Sequence, residues 1–475
     1  MLDICISFFN YLSDQQIRYC HWKSNSHLDE ALNGKTDLDI LVHHDDKDKF
    51  DRAMEKFPIK RVIAPPEKTY PGMEDYLGFD VKTGSFIHLH VHYKLIMGQK
   101  FLKNHHLPLE NVILNNLIKK DGVFIPCSEA ELLFLVIRAH MKVSIIELIK
   151  QAVNDLLGRG KTPFPGTIDD EFFELIGNSD LKKMLDILKQ FELPISEDLF
   201  TAFIAKFSDK RLKCYGYVKN MLQIFFLLRN YRRKKSKFIY FGYSYRLFQH
   251  LPLIRRFVKE NKMTLPATGK TFALIGADGS GKSTLLLDLE NWLSWRLSVI
   301  KYYHGIPKTF LKHFIPFTNR QLKKLRLDFF ATLLEGVYMV YLARRRYKIS
   351  QFSSNDVLTG NVVLTDRFPL RDFFNMAEPM DGPQLLKYRT KVGGFFSQLE
   401  SKYFDRIIYP DMLFILQADI DNLRQRKSDL PYDYHLMKAD AVNMIKGNEH
   451  TILIDANKSY PQVLLEIKRK IWELL

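Results

Sequence analysis

Residues 271–290 read TFALIGADGSGKSTLLLDLE, and this run constrains the chain more than any other. Phe272, Ala273, Leu274 and Ile275 form a short apolar run with the length of a buried strand. Gly276-x4-Gly281-Lys282-Ser283 follows, and residues 284–289 open a helix. The strand–loop–helix order has a physical reason. Glycines permit a tight turn whose backbone N–H groups converge on phosphate oxygens. The helix N-terminus adds unpaired donors and a partial positive charge. Lys282 is placed to supply a cation to the β- and γ-phosphates, and the Ser283 hydroxyl to ligate Mg²⁺. Gly276, Asp278, Gly279, Ser280, Gly281, Lys282, Ser283 and Thr284 are therefore the candidate nucleotide-binding residues.

The motifs that follow carry a family resemblance. Gly276-Ala277-Asp278-Gly279-Ser280-Gly281-Lys282-Ser283-Thr284 resembles the P-loop of thymidylate kinases, with an acidic residue in the third place. Val362-Val363-Leu364-Thr365-Asp366-Arg367-Phe368 is similar to their strand ending in Asp-Arg-aromatic. Pro410-Asp411-Met412-Leu413-Phe414-Ile415-Leu416 resembles their strand leading to the lid, with Arg424, Arg426 and Lys427 where the lid helix is basic. Ile452-Leu453-Ile454-Asp455-Ala456 fits the last strand, before a terminal helix. The resemblance covers about the last 200 residues and implies a doubly wound parallel α/β sheet using ATP and Mg²⁺. It implies that Asp366 holds Mg²⁺-bound water or assists the acceptor, and that Arg367 binds the acceptor phosphate. Asp278 would face the acceptor's sugar or the metal. The loop has no basic residue between Gly276 and Gly281, so charge on the transferring phosphoryl group is expected from Arg424, Arg426 and Lys427. Between the P-loop and Asp366 lie Arg344-Arg345-Arg346 and an aromatic-rich stretch over 329–341, with no clear thymidine signature. The run from Phe329 to Ala343 is interrupted by Glu335 and reads as a buried helix, being short for a membrane span.

Near the N-terminus, Gly34-Lys35-Thr36-Asp37-Leu38-Asp39-Ile40-Leu41-Val42 puts two carboxylates at the start of an apolar strand. Side chains at i and i+2 share a face, so Asp37 and Asp39 are candidate Mg²⁺ ligands beside a triphosphate. With Trp22-Lys23-Ser24-Asn25 upstream, the first 120 residues resemble the nucleotidyltransferase superfamily, implying an α+β domain. The loop has Lys-Ser where that superfamily has Gly-Ser. In place of a third carboxylate on a later strand, His88, His90 and His92 alternate along residues 86–92. They would ligate a metal with Asp37 and Asp39, bind an anion when protonated, or line the polar face of a hairpin. Asp80 is a further candidate for the third carboxylate. Runs at 79–81 and 86–92 around Lys82-Thr83-Gly84-Ser85 predict that hairpin.

Residues 128–230 read as helical, the first helix capped by Ser128 with Glu131 in the capping-box place. Further helices are expected at 145–157, 181–191 and 217–228. A basic connector with Arg232, Arg233, Lys234, Lys235, Lys237, Arg255, Arg256, Lys259 and Lys262 ends in Pro266-Ala267-Thr268-Gly269. The expected order is therefore 1–126 nucleotidyltransferase-like, 127–230 helical, 231–270 linker and 271–475 kinase-like. The net charge of +16 favours anionic partners, chiefly a nucleotide and a small phosphorylated substrate. Nucleic acid or an anionic membrane surface at the linker is the less favoured alternative. Cys5, Cys20, Cys127 and Cys214 include no C-x-x-C pair, and the N-terminus lacks a signal-peptide layout. Reduced thiols and a cytoplasmic location are expected. The expected activity is phosphoryl transfer from ATP to a nucleoside monophosphate, dTMP-like, or another small phosphorylated metabolite, possible coupling to an N-terminal site included. The alternative is a P-loop ATPase or switch with a degenerate N-terminal binding domain.

Overall fold

The computed structural model describes residues 1–99, 102–143, 145–157, 166–208, 214–234, 262–307, 309–373, 381–385 and 390–475, with residues 241, 244, 245 and 248. The chain divides into two compact units, Met1–Asn261 and Lys262–Leu475.

The first unit opens with α1 (Asp3–Asp14), β1 (Tyr19–His21), α2 (Leu28–Leu32), β2 (Asp37–Val42) and α3 (Lys47–Met54). Strands β3 (Ile59–Val62), β4 (Met73–Phe79) and β5 (Phe86–His92) complete a sheet ordered β1-β2-β5-β4-β3. Its β2–β5 pair is parallel and the other pairs are antiparallel. Alternation along the two central strands sorts their side chains. Leu38, Ile40 and Val42 join Ile87, Leu89 and Val91 in a core with Phe8, Phe9 and Phe50. The opposite face receives Asp37 and Asp39 from β2 and the three histidines from β5. The predicted hairpin is present, but its first strand is Met73–Phe79 and stops before Val81. Asp80 closes the turn, accepting from the Thr83 backbone N–H at 3.0 Å and the Thr83 hydroxyl at 2.7 Å. It also accepts from the Ile4 backbone N–H at 3.1 Å, so it serves the turn and α1.

Short strands β6 (Ile96–Met97) and β7 (His105–His106), helix α4 (Glu110–Asn115) and the hairpin β8 (Leu117–Lys120) with β9 (Val123–Pro126) lead to the helices. These are α5 (Ser128–Lys142), α6 (Ile145–Leu156), α7 (Gly166–Gly177), α8 (Leu181–Lys189), α9 (Glu197–Ser208) and α10 (Cys214–Leu227). Helix α5 is buried almost all round and organises their core. The expected Ser128 cap is absent: Ser128 is already helical and Cys127 precedes the helix without a side-chain cap bond. Glu131 instead reaches across to the Asn25 backbone N–H at 3.1 Å. Asn25 in turn lies 2.6 Å from His21 Nδ1, so a buried polar chain fixes the loop that carries Lys23. Burial of this helix start makes a long-range partner available that sequence spacing does not show.

Of the expected linker, Lys235, Lys237, Arg255, Arg256 and Lys259 lie outside the described residues. Residues 232–234 are strapped to Asn104: the Arg233 N–H donates to its backbone carbonyl and the Lys234 N–H to its side chain, at 2.8 and 3.1 Å. Cys5, Cys20 and Cys127 are buried and unpaired, while the Cys214 side chain lies outside the described set.

The second unit is a mixed α/β layer structure around one parallel sheet. In chain order it has β10 (Thr271–Gly276), α11 (Lys282–Leu293), β11 (Val299–Tyr303), α12 (Leu311–Lys324), α13 (Asp328–Leu358) and β12 (Val362–Asp366). Then follow α14 (Lys391–Phe404), β13 (Met412–Gln417), α15 (Ile420–Arg426), α16 (Tyr432–Asn443), β14 (Thr451–Asp455) and α17 (Tyr460–Leu474). The strand order β11-β12-β10-β13-β14 and the all-parallel pairing form the arrangement of a P-loop NTPase fold. Strand β10 is buried throughout, as a central parallel strand must be.

The aromatic-rich stretch at 329–341 is not a buried helix. Phe329, Phe330, Val337 and Tyr341 are exposed, whereas Ala331, Tyr338, Leu342 and Ala343 are buried. Helix α13 has 31 residues, a length of about 46 Å, and it passes five-residue strands of about 17 Å. Its N-terminal turns therefore extend beyond the sheet and pack against α12. Among the described residues, no helix is long and apolar enough to cross a membrane.

The Glu131 contact gives a pH prediction. Burial pushes its carboxyl from the usual 4.5 up to about 7, against the lowering effect of Asn25. A raised carboxyl favours the folded state while protonated, so this contribution is lost as pH rises from about 4.5 through about 7. Glu131→Gln keeps an acceptor for Asn25 and should remove that slope, measured by denaturant unfolding between pH 4.5 and 7.5. A slope identical to that of the parent chain would exclude Glu131 as its source.

Candidate active site

Strand β10 ends in the loop that the sequence marks for phosphate, and α11 begins at Lys282. No side chain fits at Gly276: a Cβ there would lie 2.6 Å from Ser280 Oγ and 2.9 Å from Leu416 Cβ. Gly281 differs, since nothing lies within 4 Å of a Cβ and its φ of +90° is what calls for glycine. The loop backbone is thus accessible at the helix N-terminus, where donors remain unpaired. Ser283 and Thr284 occupy the exposed first turn of α11.

The Lys282 ammonium folds back to donate to the Ala277 carbonyl at 2.7 Å. Burial lowers its pKa to about 8. Asp278 and Asp366 oppose that shift, while Arg367 and Lys427 add to it. These five groups therefore share one electrostatic environment. Asp366 ends β12, beside Leu274 of β10 and Tyr303 of β11. Arg367 follows in the left-handed region at φ +56°, a conformation uncommon outside glycine, with its guanidinium 5.7 Å from the Tyr303 ring centre. Asp278 accepts from the Tyr434 hydroxyl at 3.3 Å and lies 3.8 Å from the Lys427 ammonium.

The three basic lid residues separate. Lys427 is drawn to the loop through Asp278. Arg426 donates to the Ala456 carbonyl at 3.1 Å, and Arg424 is exposed over the Tyr432 ring at 5.3 Å. Neither has a recorded contact with the P-loop. Sequence reading missed Tyr434 and Lys438 on α16. Lys438 is buried, and burial lowers its pKa against the pull of Asp278 and Asp381, with Arg367 adding to the fall. A buried lysine in the field of Asp278 and Arg367 is a fourth candidate cation. Helix α16 lacks an apolar stripe to mark which face turns inward, so only the fold reveals it.

The Arg344-Arg345-Arg346 run is partly structural. Arg345 donates to the Gly305 and Tyr303 carbonyls at 2.8 and 3.1 Å. Arg346 donates to the His304 carbonyl at 3.2 Å and forms a buried ion pair with Asp381 at 2.7 Å. Together they hold the segment after β11 against Arg367.

The first unit holds a separate cluster. Asp37 and Asp39 do share a face, yet they have different partners. Asp37 lies 2.8 Å from His88 Nδ1, and His88 Nε2 lies 3.0 Å from Asp75 on β4. Burial pulls the His88 pKa down, but these two carboxylates outweigh it and raise it to about 9. Asp39 receives Lys23 at 2.7 Å, His90 at 3.3 Å and His92 at 3.4 Å. Burial would raise the Asp39 pKa; the nearby Lys23 and histidines instead hold it well below the usual carboxylate range. Asp75 on β4, and not Asp80, is the carboxylate that meets the histidines.

No family model matches the chain. It is 24% identical over 218 residues to the uncharacterized ATP-binding protein YghR of Escherichia coli K12, covering 42% of this chain and 85% of that protein. The same figures hold for the protein of that name in Escherichia coli O6:H1 strain CFT073. Among solved structures, it is similar to thymidylate kinase from Candida albicans, at 16% identity, 44% of this chain, 91% of that chain and a TM-score of 0.29. It is also similar to deoxyadenosine kinase from M. mycoides with bound dATP, at 14% identity, 42% of this chain, 98% of that chain and a TM-score of 0.28. Likenesses this distant carry no statement about activity.

The arginine run yields a discriminating test. Arg346→Met removes the 2.7 Å buried ion-pair partner of Asp381 and should cost about 3–5 kcal/mol of stability by denaturant unfolding. Arg344→Ala, an exposed side chain with no ion-pair partner among the described residues, should cost less than about 0.5 kcal/mol. Equal effects would contradict the assignment of Arg346 as the structural member.

Proposed function

We propose that the second unit transfers a phosphoryl group from ATP to a small phosphorylated acceptor, a nucleoside monophosphate being the favoured class. The observation that carries this reading is the shared environment of Lys282, Asp278, Asp366, Arg367 and Lys427 at the carboxyl end of the parallel sheet. Phosphoryl transfer depends mainly on positioning and on neutralising charge. Cations from two elements, the P-loop helix and the lid, suit that demand. Arg367 is placed to hold an acceptor phosphate with its planar fork. Lys427 and Lys438 are the lid cations nearest the loop, in the roles that the sequence distributes over Arg424, Arg426 and Lys427. The exposed Ser283 hydroxyl and Asp366 would hold Mg²⁺, which neutralises phosphate charge. The ATP-binding description of YghR agrees with this reading for the donor. The choice of dTMP as acceptor has no residue to carry it.

Nucleotidyl transfer in the first unit through a Mg²⁺ pair at Asp37 and Asp39 would require Asp37 to leave His88 and Asp39 to leave Lys23.

The deciding experiment measures ATP turnover and phosphorylated product across nucleoside monophosphates and sugar phosphates. One acceptor should give product. Lys282→Ala should lower turnover at least about 100-fold, and Lys438→Met by about 10- to 100-fold. Arg367→Ala should act mainly on kcat/KM for the acceptor, and Arg424→Ala by less than about threefold. Turnover without an acceptor-derived product would replace the kinase reading with the ATPase alternative.

A further inference from the structure

The face of the first sheet opposite its hydrophobic core holds a group whose chemistry the phosphoryl-transfer reading does not use. Asp39 on β2 stands in register with His90 on β5, and His92 lies two residues further on the same face. His90 Nδ1 and His92 Nε2 lie 3.3 and 3.4 Å from the same oxygen, Asp39 Oδ1. Ligand bonds of about 2.0–2.1 Å in a tetrahedral arrangement separate ligand atoms by about 3.3–3.4 Å. The two recorded edges thus already have the size of a zinc coordination shell. We propose that Asp39, His90 and His92 form a binding site for a divalent transition cation of the zinc class, which the Lys23 ammonium now replaces.

Two further observations agree. Lys23 sits 2.7 Å from Asp39 Oδ1 and retains side-chain exposure of 21%, so it has a route out. A monovalent ammonium on this oxygen marks a place where positive charge is favourable. His92 is buried and packs edge-on against Trp22 at 5.2 Å. Strand backbone and aromatic packing hold both rings in place, which favours a preformed site.

The same geometry excludes Asp37 and His88 from the shell. His88 is held between Asp37 and Asp75 by both ring nitrogens. Both ring N–H groups therefore donate to carboxylates, and no ring nitrogen is left to ligate a metal. Two imidazoles with one carboxylate select zinc and its neighbours over Mg²⁺, which prefers oxygen ligands alone. Three protein ligands leave a fourth position for water or an anionic oxygen. The site is independent of the P-loop and of the kinase reading.

The test uses the full chain, stripped with chelator and free of nucleotide. The His44→Ala background removes the second group that offers ligands, His43, His44 and Asp45. Zn²⁺, Co²⁺ and Mg²⁺ are titrated calorimetrically, and the visible absorption of bound Co²⁺ reports its coordination number. One Zn²⁺ per chain is expected, with a four-coordinate Co²⁺ spectrum and binding at least about 100-fold tighter than that of Mg²⁺. Asp39→Asn and His90→Gln should each weaken Zn²⁺ binding at least about 100-fold. Asp37→Asn should change it less than about threefold. Lys23→Met should strengthen it about two- to fivefold by removing the competing ammonium, a gain that misfolding does not produce. Failure to bind Zn²⁺, equal loss in Asp37→Asn and Asp39→Asn with none in His90→Gln, or weaker binding in Lys23→Met would each overturn the site.

Discussion

Strand β10 is hydrogen-bonded on one side to β12 and on the other to β13, all three running the same way. This pairing is the constraint on which the second unit rests. It aligns the carboxyl ends of three strands, so the P-loop, Asp366 and the segment leading to α15 emerge on one edge of the sheet. In open parallel sheets the ligand crevice lies outside those ends, where connections leave in opposite directions. Here β12 and β13 flank β10, placing that divergence at the P-loop. The packing at Gly276 is part of the same constraint, because a side chain there would strike Leu416 of β13.

Charge then refines what the backbone positions. Lys282 and Lys438 are both buried, and burial alone disfavours each ammonium. Asp278 opposes that effect for both, and it also accepts from Tyr434. One carboxylate in the third place of the P-loop therefore links the loop to α16. The buried Arg346–Asp381 pair holds the neighbouring segment. Three adjacent arginines thus differ in role according to which face of α13 carries them.

The first unit shows how register distributes chemistry among identical residues. His88, His90 and His92 repeat with a period of two and share a face. His88 nevertheless bridges two carboxylates, while His90 and His92 converge on Asp39. The parallel pairing of β2 with β5 sets Asp37 opposite His88 and Asp39 opposite His90. The antiparallel neighbour β4 adds Asp75 opposite His90.

Local signals were sufficient for much of this. The strand–loop–helix of the P-loop, β12 with its Asp-Arg ending, and the last strand and helix were legible because glycine spacing and apolar runs act over a few residues. The parallel face of Asp37 and Asp39 was legible from strand alternation. Other features required the fold because they depend on contacts far apart in sequence. Glu131 meets Asn25 across 106 positions rather than closing a capping box at Ser128. Tyr434 meets Asp278 across 156 positions, and β4 brings Asp75 to the histidines where sequence reading had considered Asp80. The exposed start of α13 reflects its length relative to the sheet. Sequence determined which groups were available and how they alternate along each element. Tertiary structure decided which of them share an environment, because electrostatic and hydrogen-bond partners are selected by distance in space.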